Sequence, residues 1–207
     1  MSAALTDAEG TVTGNTYDKY GSSNPVVRRL MAGFERALDE LWALASPRSV
    51  LDVGCGEGVL TERWARRTDG RVVGVDLDDA ELRAQWAARQ APNLSFDAMA
   101  AERLEFADGS FSLVAAIEVL EHVRDPARTL AELARVARGG HLLLSVPREP
   151  LWRALNLARG AYVRELGNTP GHLNHWSRRG FVELVARRAT VLEVRSPLPW
   201  TVLLARA

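Results

Sequence analysis

Short apolar runs alternate with longer amphipathic stretches along this chain, and that rhythm predicts an α/β fold. Val27, Leu30, Met31, Phe34, Leu38, Leu41 and Trp42 recur at helical spacing and predict a helix over 25–45. Apolar runs of strand length follow at 50–53, 71–76, 94–97, 111–117 and 141–146. Helical patterns fill the gaps at 59–67, 79–89 and 126–137. Asp125 caps the last of these, Pro126 takes its first position, and Gly139-Gly140 ends it. A helix over 178–188 and a hairpin of 191–195 with 200–205, turning at 196–199, close the chain. Strand and helix in alternation imply a mostly parallel sheet with helices on both faces, doubly wound.

Two stretches interrupt the rhythm. Residues 1–14 are small and polar without periodicity and read as a mobile tail, so a single domain is expected over 15–207. Residues 148–176 fit no simple element apart from helix around 151–158. They hold Trp152, Tyr162, Trp176, several arginines and the run Gly171-His172-Leu173-Asn174-His175. A segment placed there, between the fifth strand and the last helix, reads as an inserted cover over a substrate.

The chemistry centres on Ser49–Gly58. An apolar strand runs into Gly54, Cys55, Gly56, Glu57 and Gly58, and then into a helix. Glycines there let the backbone approach a ligand with φ above zero, and the helix start favours an anionic group. The next strand ends at Asp76, 22 residues after Gly54, close to the roughly 20 expected of an acid that accepts from ribose hydroxyls. Helix capping is the competing role for Asp76, but Asp78 is the better-placed cap. Cys55 reads as a small residue filling a tight turn, with no paired base to activate it. The spacing is G-x-G-x-G; Val59 stands where a dinucleotide fingerprint would need its third glycine, and Asp52 sits inside the strand.

Those residues resemble motif I of the class I S-adenosylmethionine-dependent methyltransferases, in their ubiquinone-biosynthesis-like (type 11 methyltransferase domain) group. The resemblance covers residues 15–146. It is carried by Val50–Gly58, Val73–Asp76, Phe106–Phe111, Glu118–Val123 with Asp125-Pro126, and Arg135-Val136 through Gly139-Gly140. It implies a Rossmann-like sheet of seven strands, six parallel and the last antiparallel, and S-adenosyl-L-methionine as cofactor. Asp76 would hold the ribose. Gly54, Cys55 and Gly56 would hold the amino-acid part, with the Gly54 carbonyl and, through water, Asp52 near its ammonium. Ile117 and Glu118 would lie beside the methionine chain, and residues 15–45 would form a partial lid with Tyr17 reaching the cofactor. Core packing under the first helix is an equal reading for Tyr17 and the favoured one for Tyr20. The sequence departs from the family at one place: relatives carry an acid for the adenine amino group where Ala100 stands. Adenine recognition then falls to backbone at Ala100 and Ala101 and to Leu77, with Asp97 able to substitute only in a shifted loop.

The implied reaction is methyl transfer to a small-molecule acceptor at oxygen, which calls for a base near the hydroxyl. His122, after the fourth strand, is the candidate, with His172 and His175 as alternatives and a backbone hydrogen bond as the bland role for His122. Glu118, Glu121, His122 and His175 also resemble the metal ligands of small-RNA 2′-O-methyltransferases. That pattern occurs equally in metal-free relatives, and no metal is expected. Methylation of RNA or of a lipid-linked quinone precursor, and a cofactor-binding regulator without catalysis, remain as alternatives.

Composition narrows the partners. With 26 basic and 26 acidic residues the formal charge is zero, so no nucleic-acid partner is expected. Lys19 is the sole lysine, an arginine bias that reflects a GC-rich genome. One cysteine excludes an internal disulfide and fits a reducing cytoplasm. No apolar run approaches the roughly 18 residues of a membrane span.

Overall fold

The computed structural model describes residues 5–6, 12–13 and 24–207. Strands β1 (Leu5–Thr6) and β2 (Val12–Thr13) pair antiparallel with each other. Tyr17 and Tyr20 lie outside the described residues, as does most of the expected tail.

Helix α1 (Pro25–Ala45) starts where Asn24 accepts a hydrogen bond from the Val26 N–H at 2.9 Å and Pro25 supplies a preset φ. It stops at Ser46, which turns left-handed at φ 43°. Strand β3 (Val50–Val53), helix α2 (Val59–Ala65), strand β4 (Val72–Asp76), helix α3 (Ala80–Ala87) and strand β5 (Leu94–Ala98) follow. The second half contains β6 (Leu113–Ile117), α4 (Pro126–Val136), β7 (His141–Pro147), α5 (Leu151–Ala158), α6 (Arg178–Ala186), β8 (Thr190–Arg195) and β9 (Trp200–Arg206). Asp79, not Asp78, caps α3, accepting from the Glu81 and Leu82 N–H groups at 2.8 and 2.9 Å. Asp78 pairs instead with Arg83 at 2.5 Å.

The seven strands lie in the order β5-β4-β3-β6-β7-β9-β8. Pairing is parallel from β5 to β7, and β9 runs antiparallel to both β7 and β8. The order reverses beside β3, so the crevice outside the carboxyl ends of β3, β4 and β6 is the topological switch point.

Side-chain alternation sends successive strand residues to opposite faces, and both faces are buried. Val50, Val72, Leu113, Leu143, Val202 and Leu204 meet α1 and Trp64 of α2 on one side. Leu51, Val73, Val114, Leu142, Leu144 and Leu203 meet α4 and α6 on the other. On the first side Trp42 stacks on Trp64 at 5.2 Å and Phe34 meets Trp200 at 4.7 Å. No described helix is long and apolar enough to cross a membrane.

Candidate functional site

The turn after β3 is held open by three left-handed glycines: Gly54 at φ 71°, Gly56 at 53° and Gly58 at 76°. A Cβ on Gly54 would lie 2.4 Å from the Val119 side chain, and one on Gly58 would lie 2.6 Å from the Phe96 ring. A Cβ on Gly56 would meet nothing within 4 Å. Gly56 is therefore set by its backbone, and open space lies beside it.

The turn and the tip of β4 are joined. One Asp76 oxygen accepts from the Gly56 N–H at 2.7 Å and the other from the Leu77 N–H at 2.8 Å. Desolvation raises the Asp76 pKa, and the two amide bonds oppose that rise. Each carboxylate oxygen keeps a second lone pair for a further donor. Leu77, at the mouth, is 36% exposed.

Asp52 is buried within β3 and accepts from the Thr61 hydroxyl at 2.6 Å. Its pKa is pushed up to about 7: desolvation raises it most, Thr61 lowers it, and the charge of Asp76 raises it further. Cys55 is held as a neutral thiol by burial and by the same two carboxylates, which disqualifies it as a nucleophile.

Past β5, the Met99 N–H donates to the Asp76 carbonyl at 2.8 Å, which lays the 99–101 loop beside Asp76. Ala100 and Ala101 bring no carboxylate there. Asp97 stays inside β5, in register with Val75, and its oxygen accepts from the Ala98 N–H at 2.8 Å. The shifted loop that would let Asp97 replace the missing acid does not form.

At the end of β6, Glu118 takes a left-handed φ of 58°, unusual for a residue with a side chain. Its N–H donates to Ser145 and its carboxylate accepts from the Trp200 indole at 2.6 Å. Ile117 stands just before it, half-buried. Residues 119–123 form a turn, not a helix, and carry His122.

The 148–176 segment clamps onto that turn. The Leu173 and Asn174 N–H groups donate to the Glu121 carbonyl at 2.8 and 3.1 Å, and the Asn174 amide donates to the Leu120 and Val123 carbonyls. The His122 Nδ1 lies 2.9 Å from the Gly171 carbonyl. A carbonyl only accepts, so Nδ1 carries the proton in this contact. His172 stands edge-on to His122 at 5.0 Å, and donor atoms of Glu121, His122 and His172 lie within 4.8 Å of one another. His175 does not join them; it is exposed and bonded to Asn168 at 2.6 Å. Of the four residues grouped in the sequence, Glu121 and His122 come together, joined by His172, while Glu118 and His175 lie outside the cluster. Trp152, bonded to Thr169 at 2.9 Å, lies between His172 and Trp200, at 6.0 and 5.8 Å. An aromatic wall therefore runs from α1 to the histidines.

Several contributors carried no signal in the sequence. Thr61, Trp86 and Trp200 all sit inside ordinary helix or strand patterns. Trp86 lies in α3 and donates its indole N–H to the Gly56 carbonyl at 2.7 Å. A cleft of about 460 Å³ lined by Arg48, Ser49, Ser112 and Arg138 lies at the opposite ends of β3 and β6, away from all of these groups.

Residues 51–144 match the family model described as a methyltransferase domain. The chain is 35% identical over 165 residues to a ubiquinone biosynthesis O-methyltransferase of Hahella chejuensis, covering 73% of this chain and 69% of that one. It is 32% identical over 153 residues to the enzyme of the same name from Methylococcus capsulatus, covering 66% and 64%. It therefore spans a little under two thirds of that relative's length. Among solved structures, the magnesium protoporphyrin IX methyltransferase of Synechocystis with bound S-adenosylhomocysteine superposes with a TM-score of 0.64, at 18% identity, over 90% of this chain and 89% of that one. With the glycine turn, the strand-tip acid and the strand order already in place, these likenesses show that the chain belongs to the class I S-adenosylmethionine-dependent methyltransferases, in the group that includes the ubiquinone biosynthesis O-methyltransferases.

Proposed function

We propose that this chain methylates a hydroxyl oxygen of a small-molecule acceptor. The observation that carries the reading is His122, whose ring is fixed just past the tip of β6 by the hydrogen bond from Nδ1 to the Gly171 carbonyl. The name of the relatives, O-methyltransferase, supports oxygen as the methylated atom.

The residues fit the cofactor. Gly56 opens onto free space, and the Gly54 carbonyl accepts no hydrogen bond from the described residues. In this reading Gly54, Cys55 and Gly56 cradle the amino-acid part, and Asp52 lends its ammonium a negative charge. Asp76 accepts from the ribose. Leu77 and the backbone of Ala100 and Ala101 flank the adenine, while Ile117 and Glu118 flank the methionine chain. Tyr17 would add a contact from the lid. S-adenosylmethionine supplies, when bound, a methyl group on a good leaving group. The protein's share is alignment, worth up to roughly 7–11 kcal/mol in favourable cases, and removal of the hydroxyl proton to His122 Nε2. The 148–176 cover, pinned to the His122 turn, keeps water from the reacting groups.

Replacing His122 by Asn tests this in an acceptor screen with labelled cofactor. Turnover should fall by roughly 10²–10⁴-fold, with S-adenosylhomocysteine affinity intact. Undiminished turnover would remove His122 from the mechanism.

The clustering of Glu121, His122 and His172 favours one second reading, in which those three donors hold a divalent ion that polarises the hydroxyl. Chelation separates the two. Turnover that survives exhaustive EDTA dialysis, with no Mn²⁺ bound by electron paramagnetic resonance, leaves His122 as the base.

A further inference from the structure

We infer that Trp86, assisted by Arg89, is a positioning residue that sets the glycine turn to receive the amino-acid end of the cofactor; the inference rests on the cofactor reading above. Three successive peptides make the turn. In the first, the Cys55 carbonyl accepts from the Gly58 N–H at 2.9 Å and the Gly56 N–H donates to Asp76. In the third, the Glu57 carbonyl accepts from the Arg89 guanidinium, and the Gly58 N–H is the donor already named. In the middle one, the Gly56 carbonyl accepts from the Trp86 indole at 2.7 Å. The Glu57 N–H of that peptide makes no hydrogen bond to the described residues.

A trans peptide points its C=O and N–H in opposite directions. An indole N–H gripping the Gly56 carbonyl from the α3 side therefore turns the Glu57 N–H away from α3. At Gly54 the carbonyl is likewise unmatched. Among the described residues the turn thus leaves one acceptor and one donor unmatched, the complement of an ammonium and a carboxylate on one carbon. Without Trp86 the left-handed glycine at 56 would let this peptide flip at little cost, and a carbonyl would then face the carboxylate.

The indole is rigidly held. Trp86 is 6% exposed and stacks on Phe96 at 5.5 Å with the rings 5° from parallel, and Phe96 itself fills the space beside Gly58 and Gly74. Arg89 is steadied by Glu62 at 3.0 Å. Both contacts come from the last turn of α3 and the residues just after it.

The test is calorimetric titration of W86F with S-adenosylhomocysteine and, separately, with adenosine, which lacks the amino-acid end. Phe keeps the stacking and deletes the N–H. Affinity for S-adenosylhomocysteine should fall about 3- to 10-fold, the range expected of one net hydrogen bond, while adenosine affinity stays unchanged. W42F, which disturbs the Trp42–Trp64 stack behind the sheet, should lower Tm without changing either affinity. Unchanged S-adenosylhomocysteine affinity in W86F, or equal losses for both ligands, would overturn the inference. If W86F does not fold, R89Q carries the test with the same two ligands, and wild-type affinities there would overturn it. Wild-type protein that binds neither ligand would instead reject the cofactor reading itself.

Discussion

Asp52 offers the sharpest quantitative test, because its burial should cost stability in a defined pH window. Unfolded, its carboxyl titrates near 3.8; folded, desolvation moves that to about 7. Between those values the folded chain keeps a proton that the unfolded chain has lost. Stability therefore falls as pH rises through the window, and above about 7 no further loss comes from this group. At roughly 1.4 kcal/mol per pH unit, the full cost of the ionised form is on the order of 4 kcal/mol. Asp52→Asn keeps an oxygen for the Thr61 hydroxyl and removes the charge. Urea unfolding of both proteins should show the variant gaining on the wild type by about that amount between pH 4 and pH 8. Depressed carboxylates elsewhere, such as Asp108 and Glu132, lose stability in the opposite sense as pH falls, but they are common to both proteins and cancel. In the proposed reading, where Asp52 lends charge to the cofactor's ammonium, the same substitution should weaken S-adenosylhomocysteine binding at pH 8. A stability difference that is flat across pH would refute the buried-carboxylate argument.

Three other changes probe the site. Gly58→Ala puts a Cβ against the Phe96 ring in a left-handed conformation, and should cost roughly 1–3 kcal/mol in chemical denaturation. Asp76→Ala removes the acceptor of the Gly56 and Leu77 amides and, in the proposed reading, of the ribose; calorimetry should show S-adenosylhomocysteine affinity down at least about 10-fold, a loss of ~1.4 kcal/mol or more. Asn174→Ala releases the Leu120 and Val123 carbonyls; faster amide exchange across 119–123 should report the loosened clamp, with about 1–3 kcal/mol of lost stability.

Much of this molecule was legible along the chain because its cues are local. Apolar period marks strands and helices, Asp125-Pro126 and Gly139-Gly140 bound α4, and the spacing from Gly54 to Asp76 places two groups at neighbouring strand tips. Asp78 reads as the cap of α3 along the chain, and backbone geometry decided for its neighbour Asp79, a choice that residue type could not make. The histidine cluster is different. His172 reaches Glu121 and His122 across about fifty residues because backbone hydrogen bonds from Leu173 and Asn174 seat the 171–174 stretch on the turn after β6. His175, three residues on, is carried out to solvent. Trp86 meets Gly56 only because α3, thirty residues further along the chain, packs against the turn. The sequence alone determined which elements form and in what order, since those depend on neighbours a few residues apart. Which side chains share a site depends on contacts between distant segments, and only the packed tertiary structure decided that.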